Sequence, residues 1–168
     1  MSNVSTNSSD WPRQFDSDGL QLLTEQEQQR LQQLLARRWW PHAGPQQRAY
    51  QSTAHELFYG GAAGGGKSSL GVGLALTRHR RSLLLRRQAV QVVELVDQLK
   101  QMGGIAGWRG MGHGGTFTTD DGRVIEVGGC DHEDDKEKYQ GRPHDFIFFD
   151  EASHFSPTQF RFIVAWNR

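Results

Sequence analysis

The amino-acid sequence predicts an α/β domain of three layers, in which helices cover both faces of a mostly parallel sheet. Three observations lead to this prediction. Helical and strand-like patterns alternate between residues 55 and 151. A glycine-rich turn over residues 61–68 follows a short apolar run and precedes a helical pattern. A second apolar run ends in two carboxylates, Asp150 and Glu151, which places charged groups at the end of a central buried strand.

Length and composition are those of one domain that can bury a core, since the chain has 168 residues. Its 19 basic and 19 acidic residues give a net charge of zero, which argues against a generic basic nucleic-acid binder. The single cysteine, Cys130, excludes an intramolecular disulfide and suits a reducing compartment. Because no apolar run approaches the length of a membrane span and no signal peptide opens the chain, we expect a soluble intracellular protein.

The turn Gly-Ala-Ala-Gly-Gly-Gly-Lys-Ser over residues 61–68 fits the phosphate-loop (Walker A) pattern G-x-x-x-x-G-K-[ST]. Glycines let the backbone fold around an anion with its N–H groups pointing inward, and the following helix adds the positive end of its dipole. We expect Lys67 to reach the β- and γ-phosphates and Ser68 to bind Mg²⁺. A flexible glycine-rich turn is the alternative, but the matching positions and flanks favour nucleotide binding.

The rest of the chain divides into a tail and a series of helices and strands. Residues 1–20 are predicted to be a disordered tail, and residues 21–168 to form the domain. Thr24 and Glu27 form a capping box at the start of a helix. Further helices are predicted over residues 46–56, 69–77, 88–101 and 158–165, and strands over residues 57–60, 82–85, 116–119, 124–127 and 146–149. Residues 105–115 are glycine-rich and predicted to be a loop.

Gln46 opens the helix upstream of the phosphate loop. Its amide both donates and accepts hydrogen bonds, as the Watson–Crick edge of adenine requires, so Gln46 is a candidate for adenine recognition. A surface glutamine is the alternative. Arg86 and Arg87 end the strand over residues 82–85, at the edge where open α/β sheets bind ligands, although a solvated strand end is the favoured interpretation of this pair.

Asp150 and Glu151 are where a phosphate-loop enzyme places its second (Walker B) motif. Asp150 is expected to hold Mg²⁺ through the shell around Ser68, and Glu151 to act as the general base towards the attacking water. The adjacent pair favours ATPases that carry a catalytic glutamate beside the metal aspartate. It disfavours small switch GTPases, whose Asn-Lys-x-Asp motif is missing from the sequence, and small-molecule kinases.

Five segments together resemble the large terminase subunit of tailed bacteriophages over about residues 40–160. They are residues 44–46 (Gly-Pro-Gln), 58–68 (Phe-Tyr-Gly-Gly-Ala-Ala-Gly-Gly-Gly-Lys-Ser), 84–87 (Leu-Leu-Arg-Arg), 138–145 (Lys-Tyr-Gln-Gly-Arg-Pro-His-Asp) and 149–152 (Phe-Asp-Glu-Ala). The resemblance implies a P-loop NTPase of the RecA-like ASCE class that hydrolyses ATP with Mg²⁺. Such a motor forms a homo-oligomeric ring on the procapsid, contacts the portal protein and the small terminase subunit, and pumps double-stranded DNA in the host cell cytoplasm.

The resemblance also implies roles for individual residues. Glu151, Lys67 and Arg142 would be catalytic, with Arg142 the first candidate for an arginine supplied to a neighbouring subunit, ahead of Arg86 and Arg87. Ser68 and Asp150 would bind the metal. The residues implied to bind ATP are Gln46, Gly61, Ala62, Ala63, Gly64, Gly65, Gly66, Lys67, Ser68 and Ser69.

The sequence departs from the terminase pattern after the final helix, since it shows neither the coupling motif nor the acidic nuclease domain. We therefore expect an N-terminal portion of the ATPase domain, with a sheet that is incomplete at its C-terminal side and without nuclease activity. A DNA helicase is the alternative enzyme, because Asp-Glu-Ala-Ser-His over residues 150–154 nearly spells the Asp-Glu-Ala-His box. A nucleotide-binding module without turnover is another alternative. A zinc site from Cys130, His132, His144 and His154 is disfavoured, because their spacing matches no compact ligand pattern.

Overall fold

A computed structural model describes residues 24–29, 39–62, 64–103, 107–111 and 114–168. The chain divides into two units, residues 1–37 and residues 38–168. In the first unit the predicted capping box is confirmed: the Thr24 N–H donates to Glu27 Oε2 at 2.8 Å, and the Glu27 N–H donates to Thr24 Oγ1 at 3.4 Å. The predicted tail over residues 1–20 lies outside the described residues.

The second unit is built on a five-stranded sheet with the order β2-β3-β4-β1-β5. Strand β1 pairs in parallel with β4 on one side and with β5 on the other, whereas the pairs β2–β3 and β3–β4 are antiparallel. The strands are β1 Arg81–Arg86, β2 Trp108–Met111, β3 Gly114–Thr118, β4 Val124–Gly129 and β5 Phe146–Phe149.

The predicted fold class, a three-layer P-loop NTPase of RecA-like ASCE type with a mostly parallel sheet, is therefore wrong. The sheet is mixed, and half of its four pairings are antiparallel. The connections explain the difference, since two residues separate β2 from β3 and five separate β3 from β4. Parallel neighbours need a crossover of a dozen or more residues, so connections this short permit only an antiparallel meander.

The prediction of a loop over residues 105–115 is also wrong, because strand β2 and the start of β3 lie in it. Glycine here serves close approach between strands. Gly110 and Gly115 face each other in the register, with φ of 152° and 155°. A Cβ built on either residue would lie 2.4 Å from a backbone oxygen of the opposite strand. The glycine content that resembles a loop in the sequence is what lets these two strands pair.

Two predicted strands differ from the structure: one does not form, and the other has a different position in the sheet. Residues 57–60 form no strand; Leu57 is 48% exposed and Phe58 is 85% exposed. The apolar run over residues 146–149 does form a strand, β5, but it lies at the edge of the sheet rather than at its centre. Just before β5, His144 forms a parallel bridge with Asn167. The hairpin predicted around residues 116–127 is confirmed, with Phe117 opposite Ile125.

Four α-helices accompany the sheet among the described residues of this unit. Helix α1 ends at Gln51, several residues before the predicted end. Ser156 caps α4, accepting a hydrogen bond from the Gln159 N–H at 3.1 Å. The α-helices are α1 Pro45–Gln51, α2 Lys67–Thr77, α3 Val92–Gly103 and α4 Pro157–Val164. Short 3₁₀ helices span Ala89–Gln91, Glu133–Tyr139 and Ala152–His154.

Buried side chains cover both faces of the sheet, because successive residues of a strand point to opposite sides. Leu84 of β1 belongs to a core cluster with residues of α2, α3, β3 and β4. Its neighbours Leu83 and Leu85 belong to a second cluster that includes Tyr139 and Ile163. Strand β1 is thus buried on both sides, as its uninterrupted apolar run predicts.

Two glycines let helix α2 lie unusually close to its neighbours. A Cβ on Gly71 would lie 2.5 Å from the ring of Phe148 in β5, and a Cβ on Gly73 would lie 2.2 Å from the ring of Trp39. Both distances are far below van der Waals contact, so no other residue fits without movement of the helix. This packing sets the start of α2 against the end of β5, where the predicted functional residues lie.

Candidate nucleotide-binding site

The site begins with a contact between the two predicted motifs. Ser68 lies in the first turn of α2, whose N-cap is Gly66. Asp150 directly follows β5, and its N–H donates to the Leu85 carbonyl at 2.8 Å. The Ser68 hydroxyl lies 2.9 Å from Asp150 Oδ2 and 3.1 Å from Oδ1, where it donates a hydrogen bond to the carboxylate. The structure thus joins the end of the phosphate loop to the end of the aspartate strand.

Arg86, the last residue of β1, provides the positive charge next to Asp150. Its Nε and Nη2 atoms lie 3.0 Å and 2.9 Å from the same oxygen, Asp150 Oδ2, and its Nη1 donates to Glu94. Burial alone would lower the pKa of Arg86, but the hydrogen bond to Glu94 and the charge of Asp150 outweigh it and raise the pKa. Only 9% of the Arg86 side chain and 3% of the Asp150 side chain are exposed. In this structure Arg86 acts within its own chain.

The phosphate loop is open to solvent and strongly curved. Gly64 and Gly66 have φ of 79° and 70°, in the left-handed region that favours glycine. The Lys67 ammonium donates to the carbonyls of Gly61 and Ala62, at 3.0 Å and 2.9 Å. A phosphate oxygen is a stronger acceptor for an ammonium group than a neutral carbonyl. Within the loop, the Gly65 N–H donates to the Ala62 carbonyl at 3.2 Å. Ala63, which is also predicted to bind ATP, lies outside the described part of the chain.

Gln46 contacts the phosphate loop rather than solvent. Its Nε2 donates to the Gly66 carbonyl at 2.9 Å, and its Oε1 accepts a hydrogen bond from the His42 N–H. The residue is 3% exposed, and a Cβ on Gly66 would lie 2.6 Å from its Nε2. The observed role of Gln46 is to hold the backbone at the start of α2. Adenine recognition by this side chain stays a prediction.

Glu151 has the only positive φ of a non-glycine residue in the described part of the chain, with φ 55° and ψ 52°. Holding a non-glycine residue there costs about 1–2 kcal/mol, and such strain is concentrated at functional sites. The carboxylate is partly exposed, with Oε2 3.3 Å from His154 Nδ1 and Oε1 3.9 Å from Arg86 Nη2. The predicted general base is thus held by its backbone beside Asp150.

Three contacts of the site have no signal in the sequence. Glu94 lies in the first turn of α3 and matches no motif, yet it pairs with Arg86. His154 neighbours Glu151 only through the turn of the short 3₁₀ helix. Ser69, predicted to bind ATP, accepts a hydrogen bond from Trp39 Nε1 at 2.9 Å. The contacts of Glu94 and Ser69 depend on how separate elements pack, and the contact of His154 depends on the turn after Glu151, so motif spacing alone does not find them.

The other two candidate arginines contact groups outside the Ser68–Asp150 pair, although Arg87 lines the same cavity as His154. Arg87 donates to the Cys130 carbonyl. Arg142 donates to Glu126, a β4 residue opposite Leu83 and therefore three register positions before the end of β1. At ~3.3 Å per residue, this is about 10 Å along the sheet from the position of Asp150. The Arg142 side chain is 55% exposed, and its role towards a neighbouring subunit stays a prediction.

The Glu126 carboxylate lies between Arg142 and His144, and its side chain is 21% exposed. Burial alone would raise the pKa of Glu126, but the hydrogen bond with His144 and the charge of Arg142 outweigh it and lower the pKa. A lowered pKa in the folded state stabilises the fold above the unfolded value of 4.5, and this stabilisation is lost as the pH falls through the folded value.

We expect Glu126→Gln to lower the free energy of unfolding by about 1–2 kcal/mol at pH 7, because it removes the charge from these hydrogen bonds. The difference from the wild type should begin to shrink below pH 4.5, where Glu126 of the unfolded chain becomes neutral, and should vanish as the pH falls through the lowered pKa of the folded state. Urea unfolding between pH 3 and pH 7 measures both effects. Glu137→Gln, at an exposed position, is the control. A difference that does not change with pH would contradict a charge-dependent role.

Ser68 and Asp150 fit Mg²⁺ by the chemistry of their donors. Both offer hard oxygen atoms, and Mg²⁺ is commonly held by one or two carboxylates together with water and substrate phosphates. Within the described residues, no group of three or more His, Cys, Asp or Glu side chains is arranged to hold a metal ion, so the zinc site finds no support. Burial raises the pKa of Cys130 to about 11, which keeps its thiol protonated at neutral pH.

Comparison with known proteins adds no further identification. No protein-family model, curated protein or solved structure matches the chain. The resemblance to terminases therefore depends only on the residues of the five sequence segments and on their order along the chain. None of the helices in the described ranges is both long and apolar enough to cross a membrane.

Proposed function

We propose that this chain binds ATP together with Mg²⁺ and hydrolyses the γ-phosphate bond. The observation that supports this most directly is the hydrogen bond between Ser68 and Asp150, two residues that lie 82 positions apart in the sequence. A phosphate loop and an aspartate strand that were unrelated would have no reason to meet. Their contact assembles the oxygen donors that a nucleotide-bound Mg²⁺ requires.

Each residue of the site has a distinct role in this proposal. The loop N–H groups and Lys67 bind the phosphates, and the Ser68 hydroxyl and the Asp150 carboxylate hold the cation. Bound Mg²⁺ would neutralise charge on the phosphate oxygens. Glu151 accepts a proton from the water that attacks the γ-phosphate. Its constrained backbone sets the direction in which the side chain leaves the main chain.

We further propose that the ATPase serves DNA packaging, as part of a large terminase subunit of a tailed bacteriophage. The support for this proposal is the set of five terminase-like sequence segments, which occur in the terminase order over about residues 40–160. The partners would be double-stranded DNA, the portal protein, the small terminase subunit and further copies of the chain in a ring on the procapsid. Stimulation of ATP hydrolysis by procapsids and DNA would support packaging, whereas strand separation would favour a helicase.

Lys67→Ala is expected to weaken binding of a non-hydrolysable ATP analogue by about 10- to 100-fold, because it removes a charge-assisted hydrogen bond to the phosphates. Titration calorimetry in the presence of Mg²⁺ measures the affinity. Lys138→Ala removes a comparable but exposed ammonium group and serves as the control. Equal affinity in the Lys67 variant and the wild type would contradict the role of the loop. Binding without hydrolysis in the wild type would instead identify a nucleotide-binding module without turnover.

A further inference from the structure

The positively charged Arg86 contacts Asp150, the same carboxylate that is proposed to bind Mg²⁺. Its Nε and Nη2 atoms both contact Asp150 Oδ2, at 3.0 Å and 2.9 Å. The other oxygen, Oδ1, has the Ser68 hydroxyl at 3.1 Å as its contact among the described residues. The buried carboxylate therefore has one oxygen committed to a resident cation and one oxygen with free acceptor capacity.

Glu94 gives the same guanidinium a second anionic partner outside the site. The Arg86 Nη1 donates to Glu94, whose side chain is 68% exposed, whereas Asp150 is 3% exposed. Arg86 thus bridges an inner carboxylate and an outer one. The Gln91 carbonyl also accepts a hydrogen bond from Nη1, at 3.3 Å, which links the guanidinium to the segment that begins α3.

We propose that Arg86 is a positioning residue whose charge is shared between Asp150 and Glu94, and that Glu94 thereby tunes how tightly Asp150 binds Mg²⁺. This inference depends on the proposed function. Arg86 neutralises Asp150 and holds its carboxylate in place, but its charge also repels a second cation at the same group. Glu94 offsets part of that repulsion, because it draws the guanidinium charge outward.

Substitution of Arg86 and substitution of its outer partner Glu94 should therefore have opposite effects on the Mg²⁺ concentration required for binding. Arg86→Gln removes the competing charge and should lower the half-saturating Mg²⁺ concentration. Glu94→Gln leaves that charge with Asp150 alone and should raise the same concentration. A shift of about fivefold in each direction corresponds to the interaction of unit charges about 4 Å apart in a water-like medium. A merely structural role predicts that both variants shift together or not at all.

The experiment titrates Mg²⁺ against the full chain at a fixed concentration of a fluorescent, non-hydrolysable ATP analogue, and compares the wild type with both variants. Asp97→Asn is the control, since it removes an exposed carboxylate from the same helix, α3, one turn beyond Glu94. This control should leave the half-saturating concentration unchanged. Thermal unfolding in EDTA establishes that each variant is folded.

The outcomes separate this inference from the proposed function. A wild-type chain without Mg²⁺-dependent nucleotide binding would contradict the proposed function, and the inference with it. Mg²⁺-dependent binding in the wild type, with both variants unchanged or shifted in the same direction, would contradict the inference alone. If Arg86→Gln does not fold, Glu94→Gln decides by itself: a raised Mg²⁺ requirement relative to Asp97→Asn supports the inference, and an equal or lower one overturns it.

Discussion

Asp150→Ala is expected to lower the free energy of unfolding by about 3 kcal/mol and to abolish the Mg²⁺ dependence of nucleotide binding. The stability loss arises because the guanidinium of Arg86 is 9% exposed and would lose its buried partner. An uncompensated buried charge costs about 3–5 kcal/mol, and the remaining contact with Glu94 places the expected value at the lower end. Urea unfolding and Mg²⁺ titration measure the two effects.

Asp97→Ala is the matched control for Asp150→Ala, because it removes an exposed carboxylate. It should change the free energy of unfolding by less than about 0.5 kcal/mol. A stable Asp150 variant with unchanged Mg²⁺ dependence would rule out both the buried ion pair and the metal role of this carboxylate. Lost Mg²⁺ dependence with full stability would retain the metal role and exclude only the stabilising one.

Glu151→Gln is expected to reduce ATP turnover by about 10²- to 10⁴-fold, the range that a positioned general base contributes. Nucleotide affinity should stay within about threefold of the wild type, because Glu151 is assigned to the attacking water and not to the phosphates. Steady-state hydrolysis and equilibrium binding, measured on the same protein, separate the two. Unchanged turnover would eliminate Glu151 as the base.

Glu151→Gly is the informative companion variant, because it also removes the backbone strain. At φ 55° a glycine avoids the steric cost of a side chain, although it gains more conformational freedom in the unfolded state. We expect the free energy of unfolding to rise by up to about 1 kcal/mol while turnover is lost. Opposite changes in stability and activity would identify this conformation as one retained for function. Loss of both would indicate that the Glu151 side chain contributes to folding.

The approximate ends of the helix and the strand that carry the candidate site were predictable from the sequence, because local patterns specify them. Glycines followed by Lys67 and Ser68 indicate a turn that leads into a helix, and the structure begins α2 at Lys67, two residues before the predicted start. Four bulky apolar residues before Asp150 indicate a strand that stops at a charge, and β5 ends at Phe149. In both cases the determining residues are neighbours in the chain, so no knowledge of packing is required.

The arrangement of the sheet was not predictable in the same way. Strand β2 is hard to detect in the sequence because glycines, which are also common in loops, lie in it and beside it. The pairing of Gly110 in β2 with Gly115 in β3 shows their purpose. The apolar run of β5 suggests a strand with neighbours on both sides, yet it lies at the edge of the sheet. Its four apolar residues are only partly buried. Composition therefore identifies an apolar strand but not the number of neighbours that it has in the sheet.

The partners of the charged residues were the least predictable part of the site. Arg86 was placed correctly at a strand end, but its bonds to Asp150 and Glu94 depend on the register of β1 with β5 and on the start of α3. The Gln46 amide could form hydrogen bonds with adenine, but in the structure it donates one to the Gly66 carbonyl of the phosphate loop. Residue type defines which bonds are possible, and packing selects among them.

Gly71 has a consequence for the chemistry of a site that it does not touch. It lies three residues beyond Ser68 in α2, directly against the Phe148 ring of β5, the strand that leads to Asp150. The thickness of the layer between helix and strand at this point sets how far apart the hydroxyl and the carboxylate are held. A displacement of about 1 Å is enough to impair catalysis about 100-fold. Glycine at position 71 therefore helps to set the distance between Ser68 and Asp150 in the candidate site, although it lies about one helical turn from Ser68.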